Sequence, residues 1–140
     1  MYQKITIVGN LGGDPQMRYM PDGSAVTNFS LATNRRWTDQ STGQPVDETT
    51  WVRVSVWGRQ AETVNQYLSK GRRVLVEGRI QPDPATGGPR LWTRQDGSVA
   101  ASFEVRAFNV IFLGGRDEAA YSEGGDYDAA PAEEEDDIPF

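Results

Sequence analysis

The segment Thr50-Trp51-Val52-Arg53-Val54-Ser55-Val56-Trp57 constrains this chain more than any other. Successive side chains along a strand point to opposite faces, so Val52, Val54 and Val56 share one face and Trp51, Arg53, Ser55 and Trp57 the other. The valine face reads as core. The opposite face is then expected in water, where two tryptophans flanking an arginine are an unusual choice, because large aromatics are usually buried. Either the strand is covered on both sides, by a helix or another subunit, or the rings stand free. The arginine favours the second reading, since a buried guanidinium needs a partner. Exposed aromatics interleaved with cations form a stacking platform for unpaired nucleobases, each stack worth ~1–3 kcal/mol with little regard to sequence. The arginine suits a phosphate or a ring face.

The rest of the body extends this strand pattern. Residues 4–10 read as a first strand, closed by the turn signal Leu11-Gly12-Gly13-Asp14-Pro15. A long strand is expected over 25–37 after the Pro21-Asp22-Gly23 turn, then a loop at Ser41-Thr42-Gly43-Gln44-Pro45. Residues 59–70 are the one helical stretch, with Ala61, Val64 and Leu68 on one face and Gly71 where a C-terminal cap belongs. Strands are expected again over 72–81 and 102–113, separated by a Pro- and Gly-rich loop from Pro82 to Pro89 and a short segment around Trp92. Five strands with one short helix between the third and fourth is the order of an all-β OB-fold barrel; a β-sandwich remains open on pattern alone. The domain is expected over 1–113, with a disordered acidic tail over 114–140.

Charge divides the chain in the same place. The net charge is −6, yet all 14 Lys and Arg lie between Lys4 and Arg116 against 10 acidic residues, a net of +4. From Asp117 to Phe140 there are 10 acidic residues and no basic one, a net of −10. A basic body with an acidic appendage fits a nucleic-acid partner where an evenly acidic protein would not. Most of the tail reads as a solvated, disordered run. Its tip differs: Asp136 and Asp137 precede Ile138-Pro139-Phe140, which suits a partner pocket with an apolar floor and a basic rim.

No cysteine or histidine occurs among the 140 residues, which removes thiolate ligands, disulfides and the commonest general base and zinc ligand. The Gly9–Gly13 turn lacks the Lys-Ser/Thr ending of a phosphate loop, and the body's carboxylates are scattered. We therefore expect no enzyme, no cofactor and no metal. No run is apolar enough to cross a bilayer and no signal peptide opens the chain, so a cytoplasmic, nucleoid-associated protein without a membrane partner is expected.

Trp37, behind Asn34-Arg35-Arg36, and Trp92, between Arg90 and Arg94, are also in basic company; either reads equally as a plug for a barrel end. Together with Ile7-Val8-Gly9-Asn10-Leu11-Gly12, Asp14-Pro15, Arg18-Tyr19-Met20-Pro21, Leu31-Ala32-Thr33-Asn34, Tyr67-Leu68, Lys70-Gly71, Val76-Glu77-Gly78, Leu113-Gly114-Gly115 and the terminal five residues, these positions closely resemble bacterial single-stranded DNA-binding proteins. The resemblance implies base stacking on Trp37, Trp51, Trp57 and Trp92. It also implies basic residues along the strand's path, for which Arg35, Arg53, Arg59 and Lys70 are the candidates. Further implications are a homotetramer, no catalytic activity, and recruitment of replication, recombination and repair proteins by the tip. Two departures stand out. Many members carry histidine, a subunit contact, at the position of Val52, so that contact is expected to be apolar or absent here. The segment 81–90 is longer and richer in proline than usual. Rival readings are an RNA-binding module on the same barrel, an adaptor whose barrel only assembles subunits and, more distantly, an enzyme.

Overall fold

The computed structural model describes residues 1–114; the acidic segment 115–140, with its tip, lies outside the described residues. The elements in order are β1 (Ile5–Leu11), β2 (Gln16–Tyr19), β3 (Ala25–Thr38), β4 (Pro45–Trp57), α1 (Arg59–Tyr67), β5 (Arg73–Ile80), β6 (Arg90–Thr93) and β7 (Val99–Leu113). Five of these close on themselves: β1 pairs β5, β5 pairs β7, β7 pairs β4, β4 pairs β3, and β3 returns to β1. All contacts are antiparallel except β4–β7. This is the expected five-stranded OB barrel, with its helix between the third and fourth barrel strands. β2 adds to the edge of β3, and β6 forms a hairpin with β7.

The inner faces follow the alternation. Val52, Val54 and Val56 meet Phe29 and Leu31 of β3, Val74 and Val76 of β5, and Val105 and Val110 of β7 in one core. The helix contributes Ala61 and Val64, and Leu68 just past its end joins them. Thr27 is the one buried polar residue among those described, and its hydroxyl donates to the Ala61 carbonyl at 2.7 Å, tying α1 to β3. Between β5 and β7, Glu77 faces Asn109 while Gly78 faces Ala107, so Phe108 is an extra residue. A bulge of this kind bends a strand and helps a small barrel close.

Several expectations need correction. The helix ends at Tyr67 rather than Lys70, because Leu68 leaves the helical region (φ −101, ψ 153) with its side chain buried in the core. Gly71, at φ 89, turns the chain into β5 and caps nothing. β4 begins at Pro45, not Thr50: Trp37 pairs Val46 and Thr38 pairs Pro45, so the expected loop shrinks to a hairpin tip. β2 lies between the two turn signals, where no strand was expected. Val52 is buried within the barrel's own core.

Parallel pairing places two projections at one end of the barrel. β4 and β7 are paired only from Val52↔Phe103 to Ser55↔Arg106. Before that ladder, β4 belongs to an arm with β3 and β7 to a hairpin with β6, and the two diverge. α1 follows the opposite end of β4.

Three hairpin tips share one device. Asp22, Asp39 and Asp96 each accept the hydroxyl of the serine two positions on, at 2.6, 2.7 and 2.7 Å, and its backbone N–H at 2.9 Å. The hydroxyl bond first, and the amide second, hold each carboxyl below the usual aspartate value. These bonds favour the charged form, so what they add is present above about pH 4 and fades as pH falls through the lowered values. The Ser24, Ser41 and Ser98 amide resonances are expected to titrate below the ordinary aspartate midpoint, and Asp96→Asn to abolish the titration at Ser98. Midpoints at or above the ordinary value would contradict the device.

Candidate nucleic-acid interface

The outer wall is built in rows by the unbroken β3–β4 ladder. Trp57 lies beside Val26, Ser55 beside Asn28, Arg53 beside Ser30 and Trp51 beside Ala32. β2 extends two of these rows, with Arg18 opposite Val26 and Gln16 opposite Asn28. A groove of about 910 Å³ runs over this wall. Its sides are the two projections: Glu48, Thr49 and Thr50 from the arm, Arg90, Trp92 and Phe103 from the β6–β7 hairpin. A smaller hollow of about 340 Å³ continues past Trp51 and Arg53 to Gly12, Gly13 and Asp14.

The fold brings together Trp51, Trp57, Trp92 and Arg53 around this groove. Trp51 is 55 % exposed and Trp92 50 % exposed, whereas Trp57 is half-buried, its indole N–H covered and unpaired. Trp37 and Arg35 stand elsewhere. The ladder from Ala32↔Trp51 to Trp37↔Val46 is continuous, so the odd spacing puts Trp37 and Arg35 on the opposite face of the arm from Trp51. Arg59 is exposed at the start of α1, just past Trp57, and does not line the groove. Lys70 is exposed, and its backbone N–H donates to Asp14 Oδ1 at 2.9 Å, which places it beside the smaller hollow.

Three of the tryptophans carry their own guanidinium. Arg35 lies 4.3 Å from the ring centre of Trp37, Arg106 4.9 Å from Trp57 and Arg94 5.6 Å from Trp92. Trp51 instead rests against backbone. A Cβ added to Gly12 would lie 2.5 and 2.9 Å from the outer carbons of the Trp51 ring.

Charge in the groove is mostly neutralised, with two openings. Arg90 pairs Glu104 at 3.2 Å, and Arg35 pairs its ladder partner Glu48 at 3.6 Å on the face of the arm opposite Trp51. Arg18 and Arg53 have no acidic partner among the described residues, so they are the cations a ligand meets. No cluster of carboxylates among the described residues suits a metal ion, and no described helix is long and apolar enough to cross a membrane.

Sequence reasoning did not single out Arg18, Arg90 or Phe103 as lining this groove, or Gly12 as lining the hollow beside it. Arg18 was hidden in a strand of four residues between two turn signals. Gly12 was read only as a turn.

Because a methyl group at position 12 collides with the far end of a side chain rather than with backbone, Gly12→Ala should leave the fold intact. It is expected to shift tryptophan emission and quencher access by displacing Trp51, with little change in melting temperature. Unaltered emission would show that Gly12 does not seat the ring.

A family model described as the single-strand binding protein family matches residues 2–113. Among solved structures, the chain is similar to a Plasmodium falciparum single-strand binding protein in complex with single-stranded DNA, at TM-score 0.66 and 30 % identity, covering 81 % of this chain and 96 % of that one. It is also similar to a deletion mutant of the single-stranded DNA binding protein from Thermus aquaticus, at TM-score 0.62 and 34 % identity. That match covers 81 % of this chain and 51 % of the other, so this chain spans about half the length of the Thermus protein.

Proposed function

The chain belongs to the single-strand binding protein family, and from that premise we propose that it binds and protects unpaired DNA without regard to sequence during replication, recombination and repair. One observation carries the reading: Trp51, Trp57 and Trp92 share a groove with an arginine, Arg53, that no described acid neutralises. Bases of a single strand present flat faces that these rings can take up, while Arg53 and Arg18 meet phosphates. A duplex hides those faces within its own stack, which gives preference for unpaired strands without any reading of base edges. Arg59 and Lys70, just beyond the two ends of the groove, extend the path for the backbone. Trp37 and Arg35 engage a strand that passes around the arm.

Self-association into a homotetramer is part of the proposal. Val8, Leu75 and Ile111 stand in one row across the outer faces of β1, β5 and β7, with Val8 and Ile111 exposed. A second copy of the chain would cover that row and leave the β3–β4 wall free. The tip Asp136-Asp137-Ile138-Pro139-Phe140 is proposed to dock into partner proteins of the same processes.

Titration with an unpaired homopolymer should quench the intrinsic tryptophan fluorescence, whereas duplex DNA should not. Replacing Trp51 by Ala should weaken binding by ~1–3 kcal/mol per site. Affinity should fall with salt, log K dropping by about 0.7 per phosphate neutralised for each unit of log salt concentration. Equal quenching by duplex, or full affinity in the Trp51 variant, would defeat the stacking mechanism.

The charge split adds a prediction about regulation. A segment of net −10 tethered to a body of net +4 competes with DNA for the same cations, most strongly at low salt where screening is weak. Truncation after Gly115 should therefore tighten binding at low salt and have little effect at high salt. An unchanged affinity at low salt would refute the competition.

A further inference from the structure

Glu104 is out of place in a groove that takes a polyanion. The ladder pairs Arg53↔Glu104 and Arg90↔Ser102, with strand alternation, put these four side chains on the face that carries Trp51 and Trp92. Of the four ion pairs among the described residues, Arg90–Glu104 is the one with both members in the groove lining. Its acid is also the least exposed of the four, at 13 % against 42 % for its arginine.

The two members are held differently. Glu104 is anchored: the Ser102 hydroxyl donates to its Oε2 at 2.9 Å, and its backbone carbonyl accepts the Gln81 N–H at 2.8 Å. Arg90 Nε lies 3.2 Å from Glu104 Oε1, yet its covered N–H makes no hydrogen bond. Charge-assisted hydrogen bonds are the strong form of such pairs, and Nε lacks one. An arginine held by charge can pass to a phosphate, and Ser102 keeps the carboxylate left behind hydrogen-bonded. The hairpin does not need the pair to stay closed, since β6 and β7 are joined from Arg90↔Ser102 to Thr93↔Val99. Glu104 stands beside Arg53 without forming an ion pair with it, so one acid neutralises one of two neighbouring arginines.

Building on the proposed function, we propose that Glu104 is a positioning residue that holds Arg90 back until a phosphate of the unpaired strand displaces it. Arg53 and Arg18 stand open to a strand from the start. Arg90 is reached only by exchanging one ion pair for another.

The test is a double-mutant cycle on the full chain, with Glu104→Gln, Arg90→Gln and both together, titrated with a deoxythymidine oligonucleotide over a range of salt. Glutamine keeps an acceptor for the Ser102 hydroxyl and removes the charge that holds Arg90. Glu104→Gln is expected to tighten binding about 2- to 5-fold. It should also steepen the fall of log K with log salt by about 0.7, the value of one phosphate on a single strand. Arg90→Gln is expected to weaken binding more in the Glu104→Gln background than in the parent. An additive cycle would overturn the proposal, since Glu104 would then act only as a repelling charge. Unchanged or weaker binding in Glu104→Gln would overturn it too, making the pair a structural tie of the hairpin. Should the melting profile show that Glu104→Gln does not fold, single variants of the parent decide. Arg53→Gln is then expected to flatten the salt slope by about 0.7 and Arg90→Gln by less; equal flattening would count against the latch. Failure of the parent chain itself to bind the oligonucleotide would count against the function proposed above, so the two failures are distinguishable.

Discussion

The interior packing of β4 holds the outer wall in place. Val52, Val54 and Val56 are buried, and burying each of three such side chains contributes about 1.5–3 kcal/mol. A slip of one residue against β3 would expose all three and drive Trp51, Arg53 and Trp57 into the barrel, because strand faces exchange with every single step. The penalty for that slip fixes the register, and the register sets the spacing of the aromatic and basic groups outside. An unbroken ladder from Val26↔Trp57 to Thr38↔Pro45 carries the constraint outward into the arm. The platform is thus positioned by residues that never touch a ligand.

The groove exists because one ladder is short. Had β4 and β7 stayed paired beyond Val52↔Phe103, the two hairpins would form one continuous sheet. Instead they diverge, and the space between them becomes the groove that Trp92 and Phe103 line from one side. The same divergence leaves the arm with little beneath it, so its order depends on cross-strand contacts: Arg36 with Asp47 at 3.1 Å, Arg35 with Glu48 at 3.6 Å, and the amide of Asn34 with the Thr49 hydroxyl at 2.8 Å. Exposed contacts of this kind contribute little each, which makes the arm the most deformable wall of the groove.

This also explains how much of the molecule was legible in the sequence. The barrel strands announced themselves through alternation, and the helix through Ala61, Val64 and Leu68. Trp51 and Trp57 stood out as aromatics on the wrong face of a strand. Phe103 did not, because it alternates in phase with Val105 and looks like core; only the loss of its covering strand, a tertiary event, exposes it. The same holds for Trp37, whose basic neighbours suggested company with Trp51, although the odd spacing through the ladder separates them. Gly12 was invisible for a different reason: its role is to be small beneath a ring that lies far along the sequence.

The four indoles are not equivalent, and magnitudes rank them. Trp37, Trp57 and Trp92 each have a guanidinium near one face, a contact worth about 0.5–1 kcal/mol at an exposed site. A base that needs that face gains ~1–3 kcal/mol by stacking, so exchange is favourable and frees an arginine beside the incoming phosphate. Trp51 has no guanidinium to displace and is held from below by the Gly12 backbone. On the proposed function it is therefore the ring where an unpaired strand gains most on first contact. The guanidinium-bearing rings then exchange one cation contact for a base and a phosphate as the strand spreads along the groove.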